Sequence, residues 1–250
     1  MIVTRDEIIN GLIKLGIGNG DLVTLHSSLK SLGHVEGGAP TVIQALLEVI
    51  GPQGTILMPA FSFPLNSQDE PIFDVRETPS CVGLITEVFR REYAAYRSIH
   101  LSHSYAAAGP LAAELTVHRL DITPCGEDSP LGKFMRRDGK ILLLGVGYNV
   151  CTAFHVVEEQ IKAPYMTFKI NPKAKYRING EMFALPSKIL ERGFSYDFTI
   201  MENEFRAQGI IQEGKVGGAA ATMLSSRSFT ECVERRLKND PDCFFRGFKH

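Results

Sequence analysis

The segment Gly145-Val146-Gly147-Tyr148-Asn149-Val150-Cys151-Thr152-Ala153-Phe154-His155-Val156-Val157-Glu158 holds the residues best spaced for chemistry. An apolar run from Lys140 ends in glycines and gives way to a helix start capped by Thr152, which is where open α/β sheets place their ligands. His155 falls in the first turn of that helix and Glu158 three positions on, so the two side chains share one face. A carboxylate at that distance holds one imidazole nitrogen as a donor. The other nitrogen is then free to accept a proton from a substrate amine. The bland alternative is an ordinary surface pair in a first turn.

Other groups invite weaker readings. Ser27-Ser28-Leu29-Lys30-Ser31 follows a buried strand, and a loop there with consecutive hydroxyls, free backbone N–H groups and one lysine can cradle phosphates. It lacks the Gly-Lys-Ser/Thr ending of a Walker loop. His26, at the end of the same strand, reads as a hydrogen-bonded core histidine. His100 and His103 put two imidazoles three apart, which raises a metal hypothesis, but no third ligand follows at a recognisable spacing and a structural role is the better reading. Cys151, four before His155, raises a thiol nucleophile against a packed small residue.

These groups need elements to position them. Thr4 and Glu7 can form a capping box opening a peripheral helix with the stripe Ile8, Ile9, Leu12 and Ile13. Asp21 to His26 reads as a buried strand, Pro40 to Ile50 as a helix ended by Gly51, and Thr55 to Met58 as a second strand stopped by Pro59. That order is a parallel crossover unit. A helix from about Gly83 to Glu92, an extended piece near Tyr96 to Ile99 and a short helix from Pro110 follow. Ser129-Pro130 opens another helix, and Lys140 to Gly147 is the clearest buried strand. Lys175 to Ile178, Asn179-Gly180 and Glu181 to Leu185 spell a hairpin with a type I′ turn. Late helices are expected around Tyr196 to Gln208 and Phe229 to Lys238, the second opened by a Ser228-x-x-Glu231 box. With no repeat and no linker, the fold class is α/β: one domain over residues 1–250 with a central mixed, largely parallel sheet flanked by helices, plus an antiparallel hairpin addition.

Bulk properties set bounds. An apolar share of 44% and a charged share of 22% suit a globular chain with a real core. No apolar stretch reaches a membrane span and the first residues lack a secretory core, so the expected location is cytoplasmic. Five cysteines without a Cys-x-x-Cys pair indicate neither a disulfide framework nor a thiolate zinc site, and no metal is expected. A net charge of -1 gives no reason to bind nucleic acid or an anionic membrane. The charge is uneven, however: residues 160–192 carry seven Lys or Arg against two Glu.

Taken in order, the motifs resemble the aminoglycoside 3-N-acetyltransferase family, whose fold is unrelated to the common N-acetyltransferase superfamily. The matching pieces are Leu25 to Gly33, Thr55 to Ser62, Phe73-Asp74 with Thr78-Pro79-Ser80, Gly83 to Arg90, Arg97 to His100 leading to Ser104 and Gly109, Gly126-x-x-Ser129-Pro130, and the Leu-Leu-Leu-Gly strand running into Thr152-x-x-His155-x-x-Glu158. They span roughly residues 20–165. Leu101 stands where the family has proline. The resemblance implies direct transfer of an acetyl or other short acyl group from acyl-CoA to the amine of an amino sugar, with His155 as general base oriented by Glu158. It places the CoA phosphates against Ser27, Ser28, Leu29, Lys30 and Ser31, the pantetheine near Ser104, and Asp74 as a grip for the acceptor ammonium. The acceptor side would be built from residues 160–250. That stretch is basic near its start, which suits an anionic acceptor such as a nucleotide-linked 3-amino sugar as well as an aminoglycoside suits an acidic one. A homodimer is left open. Two other classes remain: a hydrolase using Cys151 and His155 or a metal at the histidine cluster, and a non-catalytic CoA-binding relative.

Overall fold

The computed structural model describes residues 2–119, 121–191 and 193–248. Its central sheet has seven strands: β1 (Leu22–Ser27), β2 (Thr55–Pro59), β3 (Tyr96–Arg97), β4 (Tyr105–Ala108), β5 (Lys140–Leu144), β6 (Ile211–Val216) and β7 (Ala219–Ser225). Across the sheet they lie in the order β6-β7-β5-β1-β2-β4-β3. β5, β1 and β2 run parallel, and every pairing outside that trio is antiparallel. The sheet is mixed as expected but not largely parallel: four of its six pairings are antiparallel, because hairpin-linked strands are added on both sides of a parallel centre.

Apolar side chains leave both faces of these strands, which is why β5 reads as an unbroken Ile-Leu-Leu-Leu run. Ile141 and Leu143 enter a core with Phe154, Val156 and Phe229, while Leu142 and Leu144 enter the opposite one with Ile8, Leu12, Val42 and Leu46. Each fully buried leucine contributes about 1.5–3 kcal/mol, so the two-sided β5 is a main tie between the layers. Helices α1 (Arg5–Lys14) and α2 (Ala39–Ile50) supply the second core, and Thr4 and Glu7 form the expected reciprocal cap. Helix α3 (Leu84–Val88) continues into a π turn over Phe89–Tyr93 in place of one α-helix to Glu92. Helix α4 (Ala153–Gln160) and helix α5 (Ser226–Asn239) cover the first core.

The Asn-Gly hairpin forms with Lys175 opposite Ala184, and Asn179 and Gly180 both take positive φ, 51° and 86°. Three local readings are corrected. Thr152 stands at the start of α4 in helical conformation, and its side chain makes no capping bond. The α5 cap is Ser225, accepting from the Ser228 N–H, one turn ahead of the expected box. Tyr196 belongs to a strand, Phe194–Tyr196, paired with Phe245–Phe248 from the far end of the chain; the helix there is only Glu202–Ala207. Among the described residues no helix is long and apolar enough to cross a membrane.

Candidate active site

The parallel strands β5 and β1 end side by side, with Ser27 opposite Leu144, and the chain beyond them encloses a cavity of about 280 Å³. His26 and Ser27 come from the end of β1, Pro59, Phe61 and Phe63 from the end of β2 and just beyond it, and Val146 and residues 149–152 from the loop after β5. Thr86 of α3, Tyr196 and His155 close it. This is the carboxyl edge of a parallel trio, the place such sheets reserve for ligands.

His155 Nδ1 lies 2.6 Å from Glu158 Oε2, and the second carboxylate oxygen accepts the Tyr165 hydroxyl at 2.7 Å. The side chains of His155 and Glu158 are 4% and 0% exposed, so this is a buried pair and the surface alternative is excluded. Because the carboxylate can only accept, His155 carries its proton on Nδ1 when neutral and presents an Nε2 lone pair. Tyr196 and Phe198 pack edge-on against the imidazole at 5.2 and 5.4 Å and fix its plane. Asn149 ties this wall down by accepting the Phe198 N–H at 2.7 Å. Burial, then the neighbouring Glu158 charge, drive the Tyr165 phenol well above its ordinary range, so it remains a donor. Sequence spacing missed Tyr165 and Tyr196. The first follows α4 by way of a turn at Ala163-Pro164, and the second is brought in by the pairing with the C-terminal strand.

Of the phosphate-loop residues, Ser27 lines the cavity and Leu29–Leu32 form a single helical turn beyond it, with Lys30 exposed. The Ser28 N–H goes to Leu144 O, and the Ser31 hydroxyl bonds Gly145 O and Ser28 Oγ, each at 2.9 Å. Ser31 is thus committed to holding the loop against β5. Gly145, at φ 68°, allows that approach; a Cβ there would stand 2.4 Å from Ser31 Cβ. Ser104 lies outside the cavity wall, buried, donating to Ala60 O at 2.7 Å and accepting from Arg97 Nε at 3.1 Å. Arg97 also donates to Thr78 O at 2.6 Å and Ala60 O at 3.0 Å, so this guanidinium braces the start of the Phe61 and Phe63 wall.

Asp74 does not reach the cavity. Its Oδ1 accepts the N–H groups of Arg76 and Glu77, and its Oδ2 faces Arg177 at 3.6 Å. Desolvation is outweighed by these contacts and the carboxyl is held below its ordinary range. Part of the basic stretch is paired in the same place: Lys173 pairs with Asp69 and Lys175 with Glu70 because Ile72–Asp74 runs parallel to Lys175–Arg177. That part of its charge docks the hairpin.

Of the histidine pair, His100 is occupied by backbone groups, and His103 Nδ1 bonds Ser102 Oγ at 2.8 Å. His100 Nδ1 accepts the N–H groups of Ser102 and His103, and Nε2 meets Lys188 O at 3.0 Å, leaving no lone pair for a metal. His118 stacks on it at 4.9 Å. Cys151 is buried and its thiol is pushed up to about 12 by desolvation, so it is a protonated wall residue and not a thiolate nucleophile. His26, expected to be hydrogen-bonded, has no partner for its buried Nε2.

Comparison with known proteins gives the family. Residues 24–238 match the family model described as aminoglycoside 3-N-acetyltransferase. The chain is 31% identical to aminoglycoside N(3)-acetyltransferase IV of Salmonella sp over 243 residues, covering 96% of this chain and 89% of that protein. It is 33% identical to the SPbeta prophage-derived aminoglycoside N(3')-acetyltransferase-like protein YokD of Bacillus subtilis, covering 95% and 93%. In structure it superimposes on a histidine-to-alanine mutant of aminoglycoside acetyltransferase AAC(3)-IVa in complex with a gentamicin, with a TM-score of 0.87 at 28% identity, covering 99% of this chain and 93% of that one. On YokD from Bacillus subtilis the TM-score is 0.83 at 30% identity, covering 96% and 95%. The chain belongs to the aminoglycoside 3-N-acetyltransferase family of CoA-dependent N-acyltransferases.

Proposed function

We propose that this protein transfers a short acyl group from acyl-CoA directly to the amine of an amino sugar, with His155 as general base. The carrying observation is the buried His155, Glu158 and Tyr165 relay whose imidazole opens on the same cavity as Ser27. The Ser27 to Lys30 turn, with hydroxyls, an exposed lysine and N–H groups at a helical start, fits the phosphates of CoA. The cavity between it and His155 then receives the thioester end. His155 takes the proton from the attacking amine, and Glu158 stabilises the imidazolium so formed while Tyr165 keeps the carboxylate in place. Tyr196 brings the region after residue 160 to the cavity, which supports reading that region as the acceptor side.

The relatives' names point to an aminoglycoside as acceptor. A second reading, a nucleotide-linked 3-amino sugar, is favoured by a specific observation: the cavity wall includes no Asp or Glu among the described residues. A groove on the other side of α3 is lined by Arg76, Arg90, Arg91 and Arg97 together with Glu77 and Glu87, with Arg90 paired to Glu87 and Arg97 to backbone carbonyls, so Arg76 and Arg91 are the guanidiniums it offers an acceptor. Polycations need carboxylates, whereas a phosphorylated acceptor is suited by arginines. Release of free CoA, read with a thiol reagent against an aminoglycoside panel and a nucleotide amino sugar, decides between them. His155→Ala should abolish transfer while calorimetry still detects CoA binding. Unchanged turnover in that variant removes His155 from its role, and no transfer by the unmutated protein to any acceptor leaves a CoA-binding relative.

A further inference from the structure

β1 ends in a second imidazole that the mechanism above leaves unused. Val23 and Leu25 point into the core shared with α1 and α2, so strand alternation sends Thr24 and His26 to the other face, the one that carries α4 and His155. His26 is only 6% exposed, yet it lines the cavity together with Ser27 and His155. Its Nε2 is enclosed beyond the reach of any molecule in the cavity and has no hydrogen-bond partner, so the ring nitrogen left to act on the cavity is Nδ1. Burial of this kind is unfavourable for the protein by itself, since nearly all enclosed polar atoms in folded chains are paired. A leucine or phenylalanine at that position would remove the penalty.

The two imidazoles of the cavity stand in opposite surroundings. His155 has a buried carboxylate at 2.6 Å that accepts from its Nδ1 and orients the ring. His26 has no such carboxylate, and desolvation lowers it to about 4, so it stays neutral and is a poor base. A neutral imidazole retains one ring N–H, and a preorganised donor in a dry cavity acts on charge that develops during reaction.

We infer that His26 is a catalytic residue of the acyl transfer: its neutral ring donates a hydrogen bond to the thioester oxygen as the amine attacks and negative charge gathers there. The inference rests on the acyltransferase reading above. In the step, the amine nitrogen bonds the thioester carbon, and the C=O pair moves onto the oxygen that His26 stabilises. His155 takes the amine proton, and collapse expels the CoA thiolate, which receives that proton. No further reactant is required.

The test compares His26→Phe and His26→Gln with the unmutated protein by steady-state acetyl transfer, thermal melting and CoA calorimetry, using whichever acceptor the panel identifies. His26→Phe should lower kcat roughly 100- to 1,000-fold, the usual effect of deleting one such donor, with KM for acetyl-CoA little changed. Its melting temperature should be equal or higher, because an unpaired polar group has been replaced by an apolar one of similar shape. His26→Gln, which keeps a donor, should lie between. A His26→Phe enzyme with normal kcat overturns the inference. So does a drop confined to KM, which would mean ground-state binding, or activity lost only in step with lost stability in both variants, which would mean packing. If His155→Ala is inactive while His26→Phe is not, this inference fails and the acyltransferase reading stands.

Discussion

Glu158→Gln isolates the charge of the relay with little change of shape. Glu158 is fully enclosed, accepts from His155 Nδ1 at 2.6 Å and from Tyr165 at 2.7 Å, and has no water to replace a lost interaction. A glutamine of the same length can still accept from Nδ1 through its carbonyl, turning its NH₂ toward the Tyr165 oxygen, so the useful tautomer survives. What disappears is the anion facing the imidazolium that forms as the amine is deprotonated. Two unit charges about 4 Å apart attract by about 4 kcal/mol at an effective dielectric of about 20, which is the ceiling. Exchanging a charge-assisted for a neutral hydrogen bond costs about 1–2 kcal/mol, which is the floor. A loss of about 1.4–2.8 kcal/mol lies between them and corresponds to a 10- to 100-fold fall in kcat. The assay is CoA release at saturating acetyl-CoA, with melting temperature recorded to show that the variant is folded. A fall below about twofold would mean that no imidazolium forms in the rate-limiting step. A fall as deep as that of His155→Ala would mean that Glu158 fixes geometry and that charge is secondary.

Two further outcomes follow from burial. Cys151→Ala should keep transfer within about threefold, and at pH 8 iodoacetamide should label the exposed Cys81 and spare Cys151, because a thiol near 12 is thiolate only about once in 10⁴ molecules; peptide mapping reads the result, and preferential labelling of Cys151 would restore the nucleophile reading. In acid, His26 and His118 are each lowered by desolvation to about 4, so between about 6.5 and 4 the unfolded chain binds protons that the folded chain refuses. Stability is therefore present above about 6.5 and lost as pH falls through that window, by about 1.4 kcal/mol per pH unit for each histidine. Urea titrations at pH 7, 6 and 5 should show that slope, and His26→Phe should remove one histidine's share; a flat profile would contradict neutral burial.

What the sequence made legible was whatever local spacing carries. The β5 run, the Asn179-Gly180 turn and the i, i+3 placement of His155 and Glu158 are each decided within a few residues, and each appears in the structure. The misreadings share one physical cause: a long-range partner outweighed a local preference. Tyr196 has helical neighbours in sequence but pairs with the strand containing Phe245, and that pairing sets its ring against His155. Ser228-x-x-Glu231 spells a cap, yet the Ser226 hydroxyl bonds Gly139 O at 2.6 Å and Ser226 is buried, so α5 must begin a turn earlier with Ser225 as its cap. Lys173, Lys175 and Arg177 looked free because their counter-ions, Asp69, Glu70 and Asp74, lie about a hundred residues upstream and meet them only through the parallel pairing with Ile72–Asp74. His26 belongs to the same class. A histidine at the end of an apolar strand invites a hydrogen-bonded reading, since isolated burial is unfavourable, and only the tertiary arrangement reveals that the protein supplies no partner for its enclosed nitrogen.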